Sequence, residues 1–291
     1  MRGRHILAQL LRRLGVWAGV LVLSGLFAAI LVRMAPGFGT DERLLDPRFS
    51  AASQDAIGKE RTDERNVLRY YVDYVARLAR GDLGRSLSLG RPVKELLAER
   101  AAVSARSGAL GLLLAWLLSL AGVAALEWHP TLATEAAASA ASGMLLCVPA
   151  AVVALLCVYA GAAPAVAIAV IVFPRVFRYA RNVVGAARRA PHVLAAQALG
   201  LRQWRVLTYH VAAPVAPDLL ALAGVSVSMA VGATIPVEAL CDSPGVGHLL
   251  WQAALSRDLP VLANLTLLIT AVTAGANLLA DTARAARESV A

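Results

Sequence analysis

The chain has 291 residues, of which 58% are hydrophobic and 16% are charged, and its formal net charge is +9. Soluble globular domains carry about 25% charged and about 45–50% apolar residues. This composition therefore excludes an ordinary soluble domain and indicates a membrane protein. The basic residues are distributed between apolar stretches, as topology signals are, which argues against nucleic acid as a partner and for the lipid bilayer.

Five uncharged stretches are long enough for a bilayer-crossing helix, which needs about 20 apolar residues. They are Leu14–Val32, Ser107–Leu126, Ala136–Pro174, Leu219–Val237 and Leu259–Ala280. The third is about twice the length of one crossing and contains Gly161-Ala-Ala-Pro164, a turn signal. It predicts two helices, the second extending past Pro174 to about Arg181. We therefore predict an all-α integral membrane protein with six transmembrane helices.

The arginines determine the predicted orientation, because basic residues accumulate on the cytoplasmic side. The N-terminus carries Arg2, Arg4, Arg12 and Arg13 without an acid, and the segment from Arg175 to Pro217 holds seven arginines and no carboxylate. Both signals place the N- and C-termini in the cytoplasm. The short loop between spans two and three, which contains Glu127 and Glu135, opposes this topology mildly.

The resulting organisation has four parts. Residues 1–33 form the first helix, 34–106 a periplasmic segment, 107–283 a core of five helices, and 284–291 a cytoplasmic tail. Within the periplasmic segment, apolar residues recur at three- and four-residue spacing over Thr62–Arg80, which predicts an amphipathic helix packed on the outer membrane face.

Patterns that carry chemistry are missing from the sequence. It contains no GxxxxGK[ST] phosphate loop, HExxH or GxSxG, and its histidines are scattered. Cys147, Cys157 and Cys241 form no CxxC pair and are interpreted as buried small hydrophobes. We predict that the chain is not an enzyme and holds no metal or cofactor.

Acidic residues occur only at the ends of the core spans, at Asp218, Glu238, Asp258 and Asp281. A proton- or sodium-coupled carrier usually needs an acid within a span. The pattern therefore argues against a secondary carrier and predicts that any transport is driven by a partner.

The cytoplasmic segment at about 188–209 predicts a helical elbow. Pro191 suits the first turn of a helix, Gly200 suits the position just past its end, and a second helix follows from about Arg202. Small residues beside a glycine corner suit insertion into a cleft on a partner protein. An ordinary helical connector gives the same pattern, so the residues alone leave both interpretations open.

Motifs along nearly the whole chain resemble, in order, the binding-protein-dependent ABC transporter permeases of the dipeptide/oligopeptide branch. In the elbow, the positions that match the family's EAA loop are Ala196, Ala198, Gly200 and His210, whereas Gln197 and Leu199 depart from its basic positions. The flanking matches are Arg33-Met-Ala-Pro-Gly37, Gly81-Asp-Leu-Gly-Arg-Ser86, Arg91-Pro-Val93, Ser243-Pro-Gly-Val-Gly247 and Ser256-Arg-Asp-Leu-Pro260.

The resemblance implies a type I ABC importer transmembrane domain in a bacterial inner membrane. The partners it implies are a second homologous permease, two ABC ATPase subunits that hydrolyse ATP, and an extracytoplasmic substrate-binding protein. It assigns docking on the ATPase to Ala195, Ala196, Gln197, Ala198 and Gly200. It assigns a periplasmic loop near the gate to Glu238, Pro244, Gly245, Gly247, Arg257 and Asp258.

Several alternatives stay open at the level of sequence. The periplasmic loop is equally well interpreted as a structural turn in which Arg257 pairs with Asp258. The solute implied by the resemblance is a peptide or a similar small molecule, but nickel complexes and other small solutes occur in the same branch. A secondary carrier and a membrane-embedded assembly subunit, with Gly15-x-x-x-Gly19 as a packing face, are further hypotheses.

Overall fold

The computed structural model describes residues 74–78, 80–128 and 131–288, together with 12, 15–20, 22–27 and 30, and describes side chains as far as residue 282. In this part of the chain the secondary structure is helical, apart from an isolated bridge between Arg85 and Pro92. The helices are α1 (Gly15–Phe27), α2 (Val93–Trp128), α3 (Leu132–Cys147), α4 (Ala150–Tyr159), α5 (Pro164–Arg188), α6 (Pro191–Ala198), α7 (Gln203–Leu240), α8 (Val246–Leu255) and α9 (Leu259–Glu288).

Three of these helices, α2, α7 and α9, are long and apolar enough to cross a membrane. The pair α3 and α4 meets the same criterion as one broken span, with a bend of 94° between its halves. The helix α5 has 25 residues, but its second half carries Arg175, Arg178 and Arg181. The prediction of an all-α membrane protein is confirmed for the described residues, and of the six predicted spans three are clear.

The predicted break at Gly161–Pro164 is present. The helix α4 ends at Tyr159, Gly161 has a φ of +65°, and Pro164 starts α5. A second break, between α3 and α4, was not predicted. Its cause is Pro149, because proline lacks the N–H that a continuing helix needs and disfavours helical geometry at the residue before it.

The helix predicted to end at about Arg181 is longer in the structure, because α5 continues to Arg188. The extra turns are held by ion pairs from Arg181 to Glu135 and from Arg188 to Glu127. The predicted domain boundary at residues 106–107 lies inside α2, which begins at Val93. Most of the predicted helix Thr62–Arg80 lies outside the described residues, and residues 74–78 within it are helical.

Small residues bring the helices into close contact in two pairs. A Cβ added at Gly111 of α2 would lie 2.8 Å from the Cβ of Ile168 on α5, and a Cβ at Gly224 of α7 would lie 2.8 Å from the carbonyl oxygen of Ala276 on α9. Because glycine has no side chain, the backbones of the two helices can approach each other closely, as is usual for helix packing in lipid. The Trp116 indole donates to Ser226 Oγ at 3.0 Å and joins the two pairs.

Candidate gate loop and elbow

The elbow has the local structure that its proline and glycine predict. Pro191 starts α6, and Gly200 adopts a φ of +74° just past its end. The Gly200 N–H donates to the Gln197 carbonyl at 2.9 Å, and the Leu201 N–H donates to the Ala196 carbonyl at 3.3 Å. This pair of bonds is the glycine-dependent helix end described for left-handed C-caps. It turns the chain sharply into α7.

The elbow is anchored on one face and exposed on the other. Val193 and Ala196 are buried against valines of α7, and His192 Nε2 lies 3.1 Å from the His210 carbonyl oxygen. Among the predicted docking residues, Ala196 therefore belongs to the packed face. The exposed ones are Ala195, Gln197, Ala198 and Gly200.

Large apolar side chains extend the exposed face of the elbow beyond the residues that the motif names. Leu194, Leu199 and Trp204 are exposed at 55%, 80% and 57% of their surface. The sequence signal that could have indicated them is an apolar residue at the position where the family has a basic one, as at Leu199. An exposed apolar surface of this kind is typical of a protein contact site.

Two ion pairs join the end of α5, which leads into the elbow, to neighbouring helices. Arg188 pairs with Glu127 and also donates to its backbone carbonyl at 2.9 Å, while Arg181 lies 3.6 Å from Glu135. The two acids that opposed the predicted topology are thus partners of arginines from the basic segment. They therefore lie at the same end of the helix bundle as that segment.

The gate-loop carboxylate Glu238 is completely buried at the end of α7. Its Oε2 accepts hydrogen bonds from the Gly247 N–H at 2.7 Å and from Ser104 Oγ at 2.9 Å, and Oε1 lies 3.4 Å from Ser107 Oγ. Ser104 Oγ accepts from the Val246 N–H at 2.7 Å. The first amides of α8 lack partners within their own helix and favour a nearby anion. Glu238 and Ser104 supply those partners and fasten α8 to α7 and α2.

The glycines of the loop are required by close approach. A Cβ added at Gly245 would overlap the Glu238 carboxylate, and one at Gly247 would lie 2.7 Å from Ile235 Cα and from the Thr234 carbonyl oxygen. Pro244 is exposed and precedes the buried Gly245. The Pro-Gly-Val-Gly stretch thus lets α8 start directly against α7.

At the other end of α8, Asp258 is buried and binds the 81–92 loop. Its Oδ2 accepts from Ser86 Oγ at 2.5 Å, from the Ser88 N–H at 3.0 Å and from Ser88 Oγ at 2.8 Å. Arg257 is exposed, with a φ of +53°, and it forms no ion pair with Asp258 among the described residues. The pairing considered from sequence is therefore wrong. Asp258 instead joins two of the motifs that carry the family resemblance.

Asn264 makes a second connection between this loop and α9. Its Oδ1 accepts from the Tyr74 hydroxyl at 3.0 Å, and its Nδ2 donates to the Leu83 carbonyl at 2.9 Å. The helix α8 is thus held at both ends by buried carboxylates, and the segment leading into α2 is fastened to the start of α9. The described residues contain no group of three or more His, Cys, Asp or Glu side chains that could hold a metal ion.

An apolar cavity of about 380 Å³ lies beside the Glu238 cluster. It is bounded by α2, α7 and α9 and by the first turn of α8, and Ser104 and Gly247 line it. The residues that fasten α8 therefore also form one wall of a space between the long helices. A displacement of α8 would change the shape of that space.

Three long apolar helices, an elbow between α5 and α7, and a helix α8 held at both ends by buried carboxylates describe a helical membrane protein. Residues 119–288 match the family of binding-protein-dependent transport system inner membrane components. This match covers more than half of the chain, so the chain belongs to that family and is a multi-pass inner-membrane protein. The resemblance found in the sequence motifs is confirmed.

Relatives align over most of the chain at low identity. A probable peptide ABC transporter permease protein of Sinorhizobium fredii is 23% identical, over 94% of this chain and 96% of its own length. A putative peptide permease protein of Brucella suis is 25% identical, over 96% and 97%. An oligopeptide transport system permease protein of Escherichia coli is 26% identical, over 83% and 85%.

Proposed function

We propose that this chain is a permease subunit of an ATP-driven ABC importer for peptides or similar small solutes. The observation that carries the proposal is the alignment, over 83–96% of this chain, with proteins that are themselves named as peptide permeases. The chain forms the translocation path together with a second homologous permease. An extracytoplasmic binding protein delivers the solute, and two ABC ATPase subunits hydrolyse ATP.

The proposed subunit has six membrane spans, formed by α1, α2, the broken pair α3 and α4, α5, α7 and α9. Residues 34–106 lie in the periplasm and both termini in the cytoplasm. The contacts of Glu127 and Glu135 with arginines of α5 support this orientation, because they group the short loop with the basic segment on one side.

The elbow is the proposed docking site for an ATPase subunit. Movement of the ATPases displaces α6, and α5 and α7 follow because the elbow is continuous with both. The Arg188–Glu127 pair passes the displacement to α2. In the N-terminal half of α2, Ser104 contacts both Glu238 and the first turn of α8. Since α2 is one uninterrupted helix, the elbow and the gate loop are connected through a single rigid element.

The docking claim predicts that Leu199→Glu reduces the amount of ATPase recovered with the chain at least about tenfold, which corresponds to about 1.4 kcal/mol of binding free energy. Leu199 is 80% exposed on the elbow, so an acid there disturbs the contact surface and leaves the fold intact. Deletion of residues 195–200 removes the contact altogether. The measurement is affinity purification of the tagged chain from its own bacterium, with the ATPase quantified by mass spectrometry.

The matched control is Leu132→Glu, which places the same charge at a residue that is 90% exposed in the first turn of α3. An acid is favourable near a helix N-terminus, and the position lies on the same side of the membrane in the proposed topology. Recovery of ATPase should match wild type. Undiminished recovery with Leu199→Glu and with the deletion would refute the elbow as the docking site.

A further inference from the structure

We propose that Arg175 and Arg178 of α5 line a water-filled path and bind carboxylate groups of the solute during its passage. These two residues are called the arginine face. The proposal rests on the proposed importer function and adds to it a ligand class, a carboxylate, and the side chains that receive it.

The arginine face lies at a depth where the neighbouring helix is apolar. Ser119 Oγ of α2 lies 3.4 Å from the Phe173 carbonyl oxygen, and a Cβ at Gly122 would lie 3.1 Å from the Phe177 ring. Arg175 falls between these two phenylalanines and is therefore level with the turn from Ser119 to Gly122. At about 1.5 Å per residue, that turn lies about 6–10 Å inside the end of the uncharged stretch at Leu126.

Both arginines point away from the protein core. The opposite side of α5 is buried, whereas Arg175, Arg178, Tyr179 and Asn182 form an exposed stripe along the half of the helix that leads to the elbow. The residues of the buried side are Ala165, Ala167, Ile168, Ala169, Val172, Pro174, Val176, Phe177 and Ala180. The stripe is thus a polar surface that begins near the middle of α5.

The charges of the arginine face are not neutralised within the described part of the chain. Among the described residues, Arg181 and Arg188 of the same helix form ion pairs, whereas Arg175 and Arg178 form none. A guanidinium group at this depth is costly against hydrocarbon, and such residues usually face a bundle interior or a water-filled cavity. Two adjacent unpaired arginines indicate a surface that meets water and anions.

The chemistry of guanidinium selects the ligand. It donates paired N–H groups that match the two oxygens of a carboxylate, and a peptide carries such a group at its C-terminus. The Arg178 guanidinium lies beside α3, since a Cβ added at Gly143 would be 3.8 Å from its Nη1 atom. Phosphates of anionic lipid headgroups share this chemistry, so the experiment has to distinguish the two sources.

The test is thiol labelling of the whole importer in inside-out vesicles, in a chain whose Cys147, Cys157 and Cys241 are replaced by alanine. Single cysteines are introduced by Arg175→Cys or Arg178→Cys, and by Leu118→Cys as the control. Leu118 is 56% exposed and lies at the same depth on α2, beside Ser119. A membrane-impermeant, negatively charged methanethiosulfonate is the probe, and size-exclusion profiles verify folding of each variant.

The proposal predicts that Arg175→Cys and Arg178→Cys are labelled at least about tenfold faster than Leu118→Cys. In each variant the other arginine of the pair remains and can bind a peptide that has a free C-terminal carboxylate. Such a peptide is expected to slow labelling by about tenfold, roughly the contribution of one charge-assisted contact. The same peptide with an amidated C-terminus has no such effect. If Arg175→Cys and Arg178→Cys are labelled as slowly as Leu118→Cys, the two positions do not line a water-filled path and the proposal is overturned.

Two further outcomes overturn the ligand assignment. One is fast labelling that neither peptide slows. The other is labelling slowed by anionic lipid in the vesicles and unaffected by peptide, which assigns the face to lipid headgroups. Failure of the proposed importer function would appear separately, as absence of ATP-driven uptake by the unmodified assembly whatever the labelling pattern.

Discussion

Replacement of Glu238 by alanine is expected to destabilise the chain by about 3 kcal/mol, since hydrogen bonds to charged groups contribute about 1.5–3 kcal/mol each. The change leaves the Gly247 N–H and the Ser104 hydroxyl without their acceptor in a fully buried site. It also frees the first turn of α8, so uptake is lost together with stability. Glu238→Gln retains one acceptor oxygen and is expected to show an intermediate loss.

Thermal unfolding of the detergent-solubilised chain measures this effect. A double-mutant cycle with Ser104→Ala tests whether the two side chains act through the same contact. The effects of two substitutions within one hydrogen-bond network on the free energy of unfolding do not simply add. The combined variant should lose less than the sum of the two single losses. Strict additivity, or an alanine variant as stable as wild type, would show that the carboxylate does not fasten α8.

Gly247→Ala is the second change with a large expected effect, a destabilisation of about 3 kcal/mol, typical of overpacking where the backbone must shift. The added Cβ meets Ile235 Cα and the Thr234 carbonyl oxygen at 2.7 Å. Backbone atoms cannot rotate away as a side chain can, so α8 has to separate from α7. The separation breaks the contact between the Gly247 N–H and Glu238.

Gly232→Ala provides a control on α7, the helix against which α8 packs. No atom lies within 4 Å of a Cβ at Gly232, and alanine is favoured over glycine in a helix by about 1 kcal/mol. The two substitutions are chemically identical, and unfolding temperatures should move in opposite directions. A Gly247→Ala variant as stable as Gly232→Ala is incompatible with the close approach of α8 to α7.

The helices and their breaks were predictable where the signal is local. Gly161 and Pro164 indicated a turn that is present, and Pro191 and Gly200 indicated the elbow. The end of α5 was not predictable, because Arg188 is held by Glu127, 61 residues away. Ion pairs between distant segments leave no periodic pattern in the sequence.

For the gate loop too, the residues could be predicted from local sequence motifs, but their contacts with distant residues could not. Its residues were selected by motif, but their roles depend on partners in other helices. Ser104 and Glu238 are 134 residues apart, and Ser86 and Asp258 are 172 residues apart. Adjacency in sequence was misleading for Arg257 and Asp258, since the positive φ of Arg257 turns its side chain outward while Asp258 is buried.

We expect this chain to transport solute only as part of an ATP-driven assembly. The most direct measurement is accumulation of a radiolabelled short peptide in proteoliposomes that contain the importer purified through this chain, with its binding protein added outside. Accumulation is predicted to require ATP hydrolysis on the side of the ATPase subunits and to be absent for the chain reconstituted alone. Accumulation by the chain alone, or by the assembly without ATP, would contradict the account.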